Sequence, residues 1–426
     1  MRRQKEQNKQ WYKLDNAALL YPGLESNRLT SLFRVAATLK SPIEPPLLQK
    51  ALEHAIERFP YYRVTLKMGM FWYFLEHNPK TPHILRDDKY PMQRLKKKET
   101  RGFSFRVRYY NNRIAVEMHH SITDGTGGLT FLNCILGEYF RLQNIKFPYG
   151  YIKDPKEKPD NQESCDAFGK FYRPATPYQD ILSQAYHLPH SLIPSGRTNI
   201  ITGEMSVEDV KTLAHEYNAS ITEYLASVML YALQEIQRDN VSPKRYKPIR
   251  ISIPVNLRKL FQFQQTMRNF SLYVIAGIDP RLGEYSFEEI VDCVKNTMKS
   301  EINVKSISRQ LARNVDGSKN FLVRIIPMFI KKNMFPFLFR YMGERQYSAT
   351  LSNLGNVTIP QELAPYIESY DFMVPPNHIN KSNCGVISYN GKMRITFNRT
   401  IDNSDFERLF FTFLRRRNVH ITVESN

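Results

Sequence analysis

Residues 119–125 read His-His-Ser-Ile-Thr-Asp-Gly, two adjacent histidines with an acid four residues after the second and a glycine directly behind it. Neither helical nor strand periodicity asks for that combination. A neutral imidazole, with an ordinary pKa near 6.5, is well matched to taking a proton from a hydroxyl or an amine at neutral pH. Neighbouring side chains on an extended segment point to opposite sides, so one histidine reaches a given pocket while the other packs. This also argues against a metal, since a zinc site needs at least three converging ligands and no HExxH-type spacing supplies them. Asp124 can either orient the imidazole as the third member of a triad or turn away to pair with an arginine. The spacing leaves both open. No GxSxG elbow accompanies the motif, so direct transfer with His120 activating the acceptor needs fewer parts than a covalent intermediate.

The flanking sequence predicts how these residues are held. Phe103 to Tyr110 and Arg113 to Met118 are β-rich runs joined by Asn111-Asn112, residues that tolerate the positive φ of a tight hairpin. Past Gly125, Leu129, Phe131, Leu132, Ile135, Leu136, Tyr139 and Phe140 fall at helical spacing, and Cys134 lies on that apolar stripe. The motif is therefore expected in a strand-to-helix corner. Upstream, Asn27 to Lys40 predicts a long strand, Pro45 to Phe59 an amphipathic helix, and Arg63 to Leu66 and Phe71 to Glu76 short strands. Further on, Ser206 with Asp209, Ser220 with Glu223, Ser286 with Glu289 and Ser404 with Glu407 read as helix caps. Ile249 to Val255 and Phe270 to Ile278 predict strands, Ser352 to Gly355 a turn, and Asn390-Gly391 the strongest hairpin signal.

At 426 residues the chain exceeds what one core usually serves. A Pro-, Lys- and Tyr-rich stretch from Phe147 to about Pro194 lacks periodicity. It suggests one lobe over 1–175, a crossover at 176–194 and a second lobe over 195–426. The net charge of +19 implies attraction to polyanions. The basic residues form short separate clusters without a nucleic-acid signature, so no nucleic-acid partner is expected. Four cysteines without a CxxC pair fit reduced thiols in the cytoplasm. The polar N-terminus does not read as a signal peptide. Phe321 to Met342, apolar and aromatic with interspersed Arg and Lys, fits an acyl channel, a membrane surface or a helix wedged between lobes. The packed placement is the one expected.

In that strand-to-helix setting the HHxxxDG motif resembles the signature of the chloramphenicol-acetyltransferase-like superfamily, which includes alcohol acyltransferases and the condensation domains of peptide synthetases. LQKALEHAIERFPYYRVTL, from Leu48 to Leu66, resembles that superfamily's first helix and its exit. Ile253-Pro254-Val255-Asn256-Leu257-Arg258 resembles its "PVNLR" strand, and Ser352 to Gly355 the "SNLG" turn of bacterial alcohol acetyltransferase-like members. The landmarks run in family order from about 50 to 415. There is no DFGWG motif, which separates the chain from the plant enzymes, and no stretch of these 426 residues reads as a carrier-protein segment, so a condensation role is expected to need a partner.

The resemblance implies an α/β fold of two similar lobes, each a mixed, mostly antiparallel sheet with flanking helices, and a tunnel between them. It implies that His120 is the general base, that Asp124 is structural with Arg258 as its partner, that Gly125 keeps the tunnel clear, and that His119 packs. Ser352, Asn353 and Asn256 would line the substrate tunnel. Oxyanion donors are expected from Ser352-Asn353 or from the helix start Thr126-Gly127-Gly128. The implied reaction moves an acyl group from acyl-CoA, a co-substrate rather than a bound cofactor, to a small or lipophilic alcohol or amine. A stand-alone condensation enzyme using a carrier-protein thioester, and a non-catalytic acyl-binding protein, are the alternatives. The expected state is a cytoplasmic monomer, with the membrane surface as a further partner.

Overall fold

The computed structural model describes residues 11–19, 21–26, 30–174, 182–334 and 343–426. In the first half of the chain the strands are β1 (Trp11–Lys13), β2 (Leu32–Leu39), β3 (Val64–Met68), β4 (Tyr73–His77), β5 (Ile84–Arg86), β6 (Phe105–Tyr110) and β7 (Arg113–His119). The second half contributes β8 (Asn199–Ser206), β9 (Ile249–Asn256), β10 (Ser271–Ile278), β11 (Ala349–Asn356), β12 (Ile367–Met373), β13 (Ser382–Tyr389), β14 (Lys392–Arg399) and β15 (Thr422–Ser425). The main helices are α1 (Pro45–Arg58), α2 (Gly125–Leu142), α3 (Val207–Glu216), α4 (Ile221–Asn240), α5 (Phe287–Glu301), α6 (Val304–Lys319), α7 (Phe321–Ile325) and α8 (Asp405–Arg415).

The strands make a five-stranded sheet in the order β12-β2-β7-β6-β5, a seven-stranded sheet in the order β10-β9-β11-β13-β14-β8-β15, and a small β1-β4-β3 sheet. Pairing is antiparallel except where β5 meets β6 and where β11 meets β9 and β13. Mixed, mostly antiparallel sheets with helices against them are the expected α/β architecture. One core lies between the five-stranded sheet and the buried faces of α1 and α2; the other joins α3, α4, α5 and α8 to the seven-stranded sheet. Pro45 and Pro46 occupy the first turn of α1, where no intrahelical N–H partner is lost. Leu48, Ala51, Leu52, Ala55 and Ile56 follow at three- and four-residue spacing and are buried.

Local chemistry sets many boundaries. Asn111 adopts φ 52° in the two-residue β6–β7 turn, and Asn390 and Gly391 adopt 48° and 77° between β13 and β14. Both turns match the right-handed twist of their strands. Ser220 with Glu223 and Ser286 with Glu289 form reciprocal capping boxes, and the Ser206 hydroxyl accepts from Asp209 N.

Several expectations give way. Ser404, at φ −115° and ψ 17° rather than extended, makes no side-chain cap, and Glu407 is instead buried and accepts from Ser382 Oγ at 2.7 Å. Ser352 to Gly355 lies inside β11: the register against β13 shifts between Asn353 and Asn356, Gly355 takes φ 77°, and Asn353 Oδ1 accepts from Gly355 N. The turn chemistry is spent on a strand bulge, which bends β11 without ending it.

β12 carries the chain from the second half into the first sheet, pairing with β2, before β13 returns beside β11. Part of the expected crossover, 176–181, lies outside the described residues. Farther along it, Tyr186 N donates to Pro248 O and Leu192 forms a bridge with Ile401. Of the apolar stretch from Phe321 to Met342, residues 335–342 lie outside the described residues. In the rest, Phe321, Val323, Ile325, Phe329, Ile330 and Met334 are exposed rather than wedged between lobes. Among the described residues no helix is long and apolar enough to cross a membrane.

Candidate active site

β7 lies between β2 and β6 and ends at His119, which pairs with Leu32. His120 N still donates to Ser31 O (2.9 Å), and Ile122 N to His119 O (3.0 Å), which turns the chain toward α2. The two histidines part company here. His119 is buried; its Nδ1 accepts from Ser121 N (3.0 Å) and its Nε2 faces Glu25 Oε1 (3.2 Å). An amide N–H can only donate, so the neutral ring carries its hydrogen on Nε2 and both nitrogens are committed.

His120 is only partly covered, with Tyr21 stacked on its ring (centroids 4.9 Å apart, 24° between planes) and Phe33 tilted against it (4.8 Å). Its Nδ1 faces Asn269 Oδ1 at 3.3 Å. The Asn269 amide has a fixed direction, since Nδ2 donates to His120 O (2.8 Å) and to Asp15 Oδ2 (2.9 Å). Asp15 Oδ1 accepts in turn from Ala18 N (2.8 Å). With Nδ2 held by two acceptors, Oδ1 is the atom turned to the imidazole. The neutral tautomer is therefore the one with hydrogen on Nδ1 and the lone pair on Nε2. Burial pushes the His120 pKa down to about 4, against the pull of Asn269 and of the Asp124 charge. The ring is neutral at pH 7. Burial and the nearby Asp166 raise the Asp15 carboxyl to about 7, opposed by Arg268, Asn269 and the Ala18 N–H.

Asp124 turns away from the imidazole. Arg258 grips its carboxylate with both terminal nitrogens, Nη1 to Oδ2 at 2.8 Å and Nη2 to Oδ1 at 3.0 Å. Phe270 N donates to Oδ2 (3.0 Å), and Gly127 N to Oδ1 (3.2 Å), so the same side chain caps α2. Burial would raise this carboxyl, but Arg258 and the two backbone amides outweigh it and hold the pKa low. Arg258 extends the network through Nε to Thr266 O (3.0 Å) and Nη2 to Arg268 O (2.7 Å). Beside it, Tyr62 donates to Thr123 Oγ1 (2.9 Å), which donates to Met267 O (2.6 Å). The corner is thus pinned to the 266–270 segment.

A Cβ on Gly125 would stand 2.7 Å from Leu354 Cδ2 and 3.4 Å from Phe372, so this glycine lets β11 and β12 approach the start of α2. One on Gly128 would stand 2.5 Å from the Phe33 ring, the ring that packs on His120. The Gly127 and Gly128 amides expected as oxyanion donors are already engaged, by Asp124 Oδ1 and Asp124 O respectively. Asn256 Nδ2 donates to Thr126 Oγ1 (3.2 Å), and its Oδ1 accepts from Arg258 N (3.0 Å). Asn353 Nδ2 donates to Thr222 Oγ1 (3.1 Å), while Ser352 pairs with Gly385 of β13. Among the described residues no cluster of His, Cys, Asp and Glu could hold a metal ion.

No family model and no curated protein matches the sequence. Solved structures match its shape. Trichothecene 15-O-acetyltransferase TRI3 from Fusarium sporotrichioides superposes with a TM-score of 0.61 at 10% identity, covering 97% of this chain and 96% of that one. TRI101 of F. sporotrichioides, complexed with coenzyme A and T-2, gives 0.62 at 11% identity over 96% and 99%. The first condensation domain of the calcium-dependent antibiotic synthetase, in complex with a substrate analogue, gives 0.63 at 13% identity over 96% of each chain. The fold is the one these acetyltransferases and this condensation domain share. At these identities the likeness concerns the fold, and chemistry must be argued from side chains.

In this acetyltransferase-like fold a groove of about 370 Å³ is lined by Ser26, Thr30, Arg94, Lys96 and Arg197 among others, and no motif residue lines it. Ser26 adjoins Glu25, the partner of His119, and Thr30 adjoins Ser31, the partner of His120. Three cationic side chains at its wall favour an anionic ligand. The residues that sequence reasoning missed are Asp15, Glu25, Tyr21, Phe33, Tyr62, Thr123 and Asn269. Phe33 lies in a predicted strand, Tyr62 in the Leu48–Leu66 stretch and Thr123 at a variable position of HHxxxDG, but none of these patterns singles the residue out for the site.

Proposed function

We propose that this chain is an acyltransferase that moves an acyl group from a coenzyme A thioester to a hydroxyl or amine, with His120 as general base. The observation that carries the reading is the fixed His120 tautomer at the strand-to-helix corner of this fold. His120 Nε2 takes the proton of the acceptor as its oxygen or nitrogen attacks the thioester carbonyl carbon. The resulting imidazolium is stabilised by Asn269 Oδ1 and by the field of Asp124. When the tetrahedral intermediate collapses, the C–S bond breaks, the thiolate leaves and takes the proton back from Nε2. The base ends neutral, and no redox step is involved.

Asp124 and Arg258 maintain the corner rather than touching the acceptor, and His119 buttresses the end of β7. With the Gly127 and Gly128 amides engaged, Ser352 is the remaining hydroxyl candidate for the oxyanion. It stands two residues before Leu354, which touches Gly125. The basic groove lined by Arg94, Lys96 and Arg197 suits the phosphates of coenzyme A, and one neighbour of this fold is complexed with coenzyme A while another is named an acetyltransferase. The condensation-domain neighbour supports a second reading, in which a carrier-protein thioester is the donor.

The test incubates the full chain with a panel of acyl-CoAs and alcohols or amines and follows release of free thiol. His120→Ala should lose at least about 10²-fold in turnover, the lower end of a positioned base's contribution, with folding retained. Undiminished transfer by that variant removes the mechanism. Turnover only with a loaded carrier protein selects the condensation reading, and acyl-CoA binding without turnover selects a non-catalytic role.

A further inference from the structure

Away from the motif, two segments meet to form one face. The tip of the β3–β4 hairpin exposes Met70 and Trp72, 72% and 40% accessible. Against it lies the segment that follows α6. Met328 N donates to Met70 O (2.7 Å) and Lys331 Nζ to Phe71 O (3.0 Å), while the Lys331 and Arg324 charges stand 4.4 and 5.5 Å from the Trp72 ring. On this second segment Phe321 and Phe329 are 71% and 67% exposed. Single exposed apolar residues are ordinary, but several large ones on two segments bonded to each other mark a face that binds something.

Charge indicates what it binds. Between residues 302 and 334 the chain carries seven Lys or Arg and a single acidic residue, Asp316. Exposed aromatic and aliphatic side chains interspersed with the exposed Arg324 and Lys332 match the boundary of an anionic bilayer, where the rings enter the acyl edge and the cations stay among headgroups. We propose that this face docks the protein on an anionic membrane surface.

Its position also bears on the acyltransferase reading, on which the following step rests. The β1 strand beside β4 begins at Trp11, itself 60% exposed, and Asp15, which orients Asn269, lies four residues farther on. Four residues span at most about 14 Å. Asn16 Nδ2 donates to Ser318 Oγ near the end of α6, three residues before Phe321, so the short stretch from Trp11 to Leu19 joins the end of α6 to the histidine site. A lipophilic acceptor would then be drawn from the bilayer.

The experiment is co-sedimentation of the full chain with vesicles of phosphatidylcholine containing phosphatidylglycerol, against pure phosphatidylcholine. Binding should require the anionic lipid and fall with salt. Phe321→Ser with Phe329→Ser should weaken it at least about tenfold, since two large aromatic side chains no longer enter the acyl boundary. Circular dichroism should show these exposed positions leave the fold intact, and Arg324→Glu with Lys332→Glu should abolish the anionic preference. Absence of wild-type binding, or equal binding by both double variants, overturns the proposal. So does a wild-type dimer that Phe321→Ser with Phe329→Ser converts to monomer without any vesicle binding. Vesicle binding by a chain that transfers no acyl group would leave the docking face standing and remove the acyltransferase reading.

Discussion

Replacing Asp124 with asparagine keeps the shape of the side chain and removes its charge. The native carboxylate accepts four N–H groups, two from Arg258 at 2.8 and 3.0 Å and one each from Phe270 and Gly127 at 3.0 and 3.2 Å. In Asp124→Asn one oxygen becomes an NH₂ group, so two of those four contacts turn into donor facing donor. Arg258, 4% exposed, is left with an uncompensated charge. Breaking a buried pair from one side costs about 3–5 kcal/mol. With an unfolding entropy of about 2.1 cal/mol/K per residue, a chain of 426 residues that unfolds as one unit should lose about 3–6 °C in Tm. The loss should be roughly double if only half the chain unfolds with the corner. Differential scanning calorimetry of both proteins reads this directly. The sign with pH is also set. Arg258 holds the Asp124 pKa low, so its stabilisation is complete above the unfolded aspartate pKa of about 3.9 and fades only as pH falls through the lower folded value. The gap between wild type and variant should therefore persist from neutral pH to about pH 4. An Asp124→Asn protein of unchanged Tm whose pH–rate profile alone moves would refute this, and would make Asp124 the orienting member of a triad.

Two further outcomes follow from the His120 environment. Because desolvation of the ring brings its pKa down to about 4, kcat/KM should stay level as pH falls from 8 to below 6, and a half-loss near 6.5 would contradict the desolvated neutral base. The same depressed pKa means the unfolded chain binds the extra proton, so this group's contribution to stability declines as pH drops from about 6.5 toward 4. Asn269→Ala should lower kcat at least about tenfold with little change in KM, because the imidazole tautomer is no longer fixed. An altered acidic limb should accompany it, and a change in KM alone would reduce Asn269 to a packing role.

What could be read from the sequence was local. The capping boxes at Ser220 and Ser286, the Asn390-Gly391 hairpin and the apolar stripe of α2 are contacts among residues a few positions apart, where backbone geometry and side-chain reach leave few alternatives. The HHxxxDG corner was legible for the same reason, as a strand end running into a helix, and resemblance rather than spacing pointed from Asp124 to Arg258. The tertiary structure decided the rest. Asn269 reaches His120 across 149 positions and Asp15 reaches Asn269 across 254. No periodicity links such residues, because their meeting depends on how whole sheets stack. Ser352 to Gly355 carries turn chemistry, yet pairing of Ser352, Asn353 and Asn356 with β13 keeps it in a strand and turns the glycine into a bulge. Phe321 to Met334 has the composition of a buried helix, and only its placement beside the β3–β4 tip turns those side chains outward. Spacing told which histidines could do chemistry; the amide of a distant asparagine sets which nitrogen of His120 holds the lone pair.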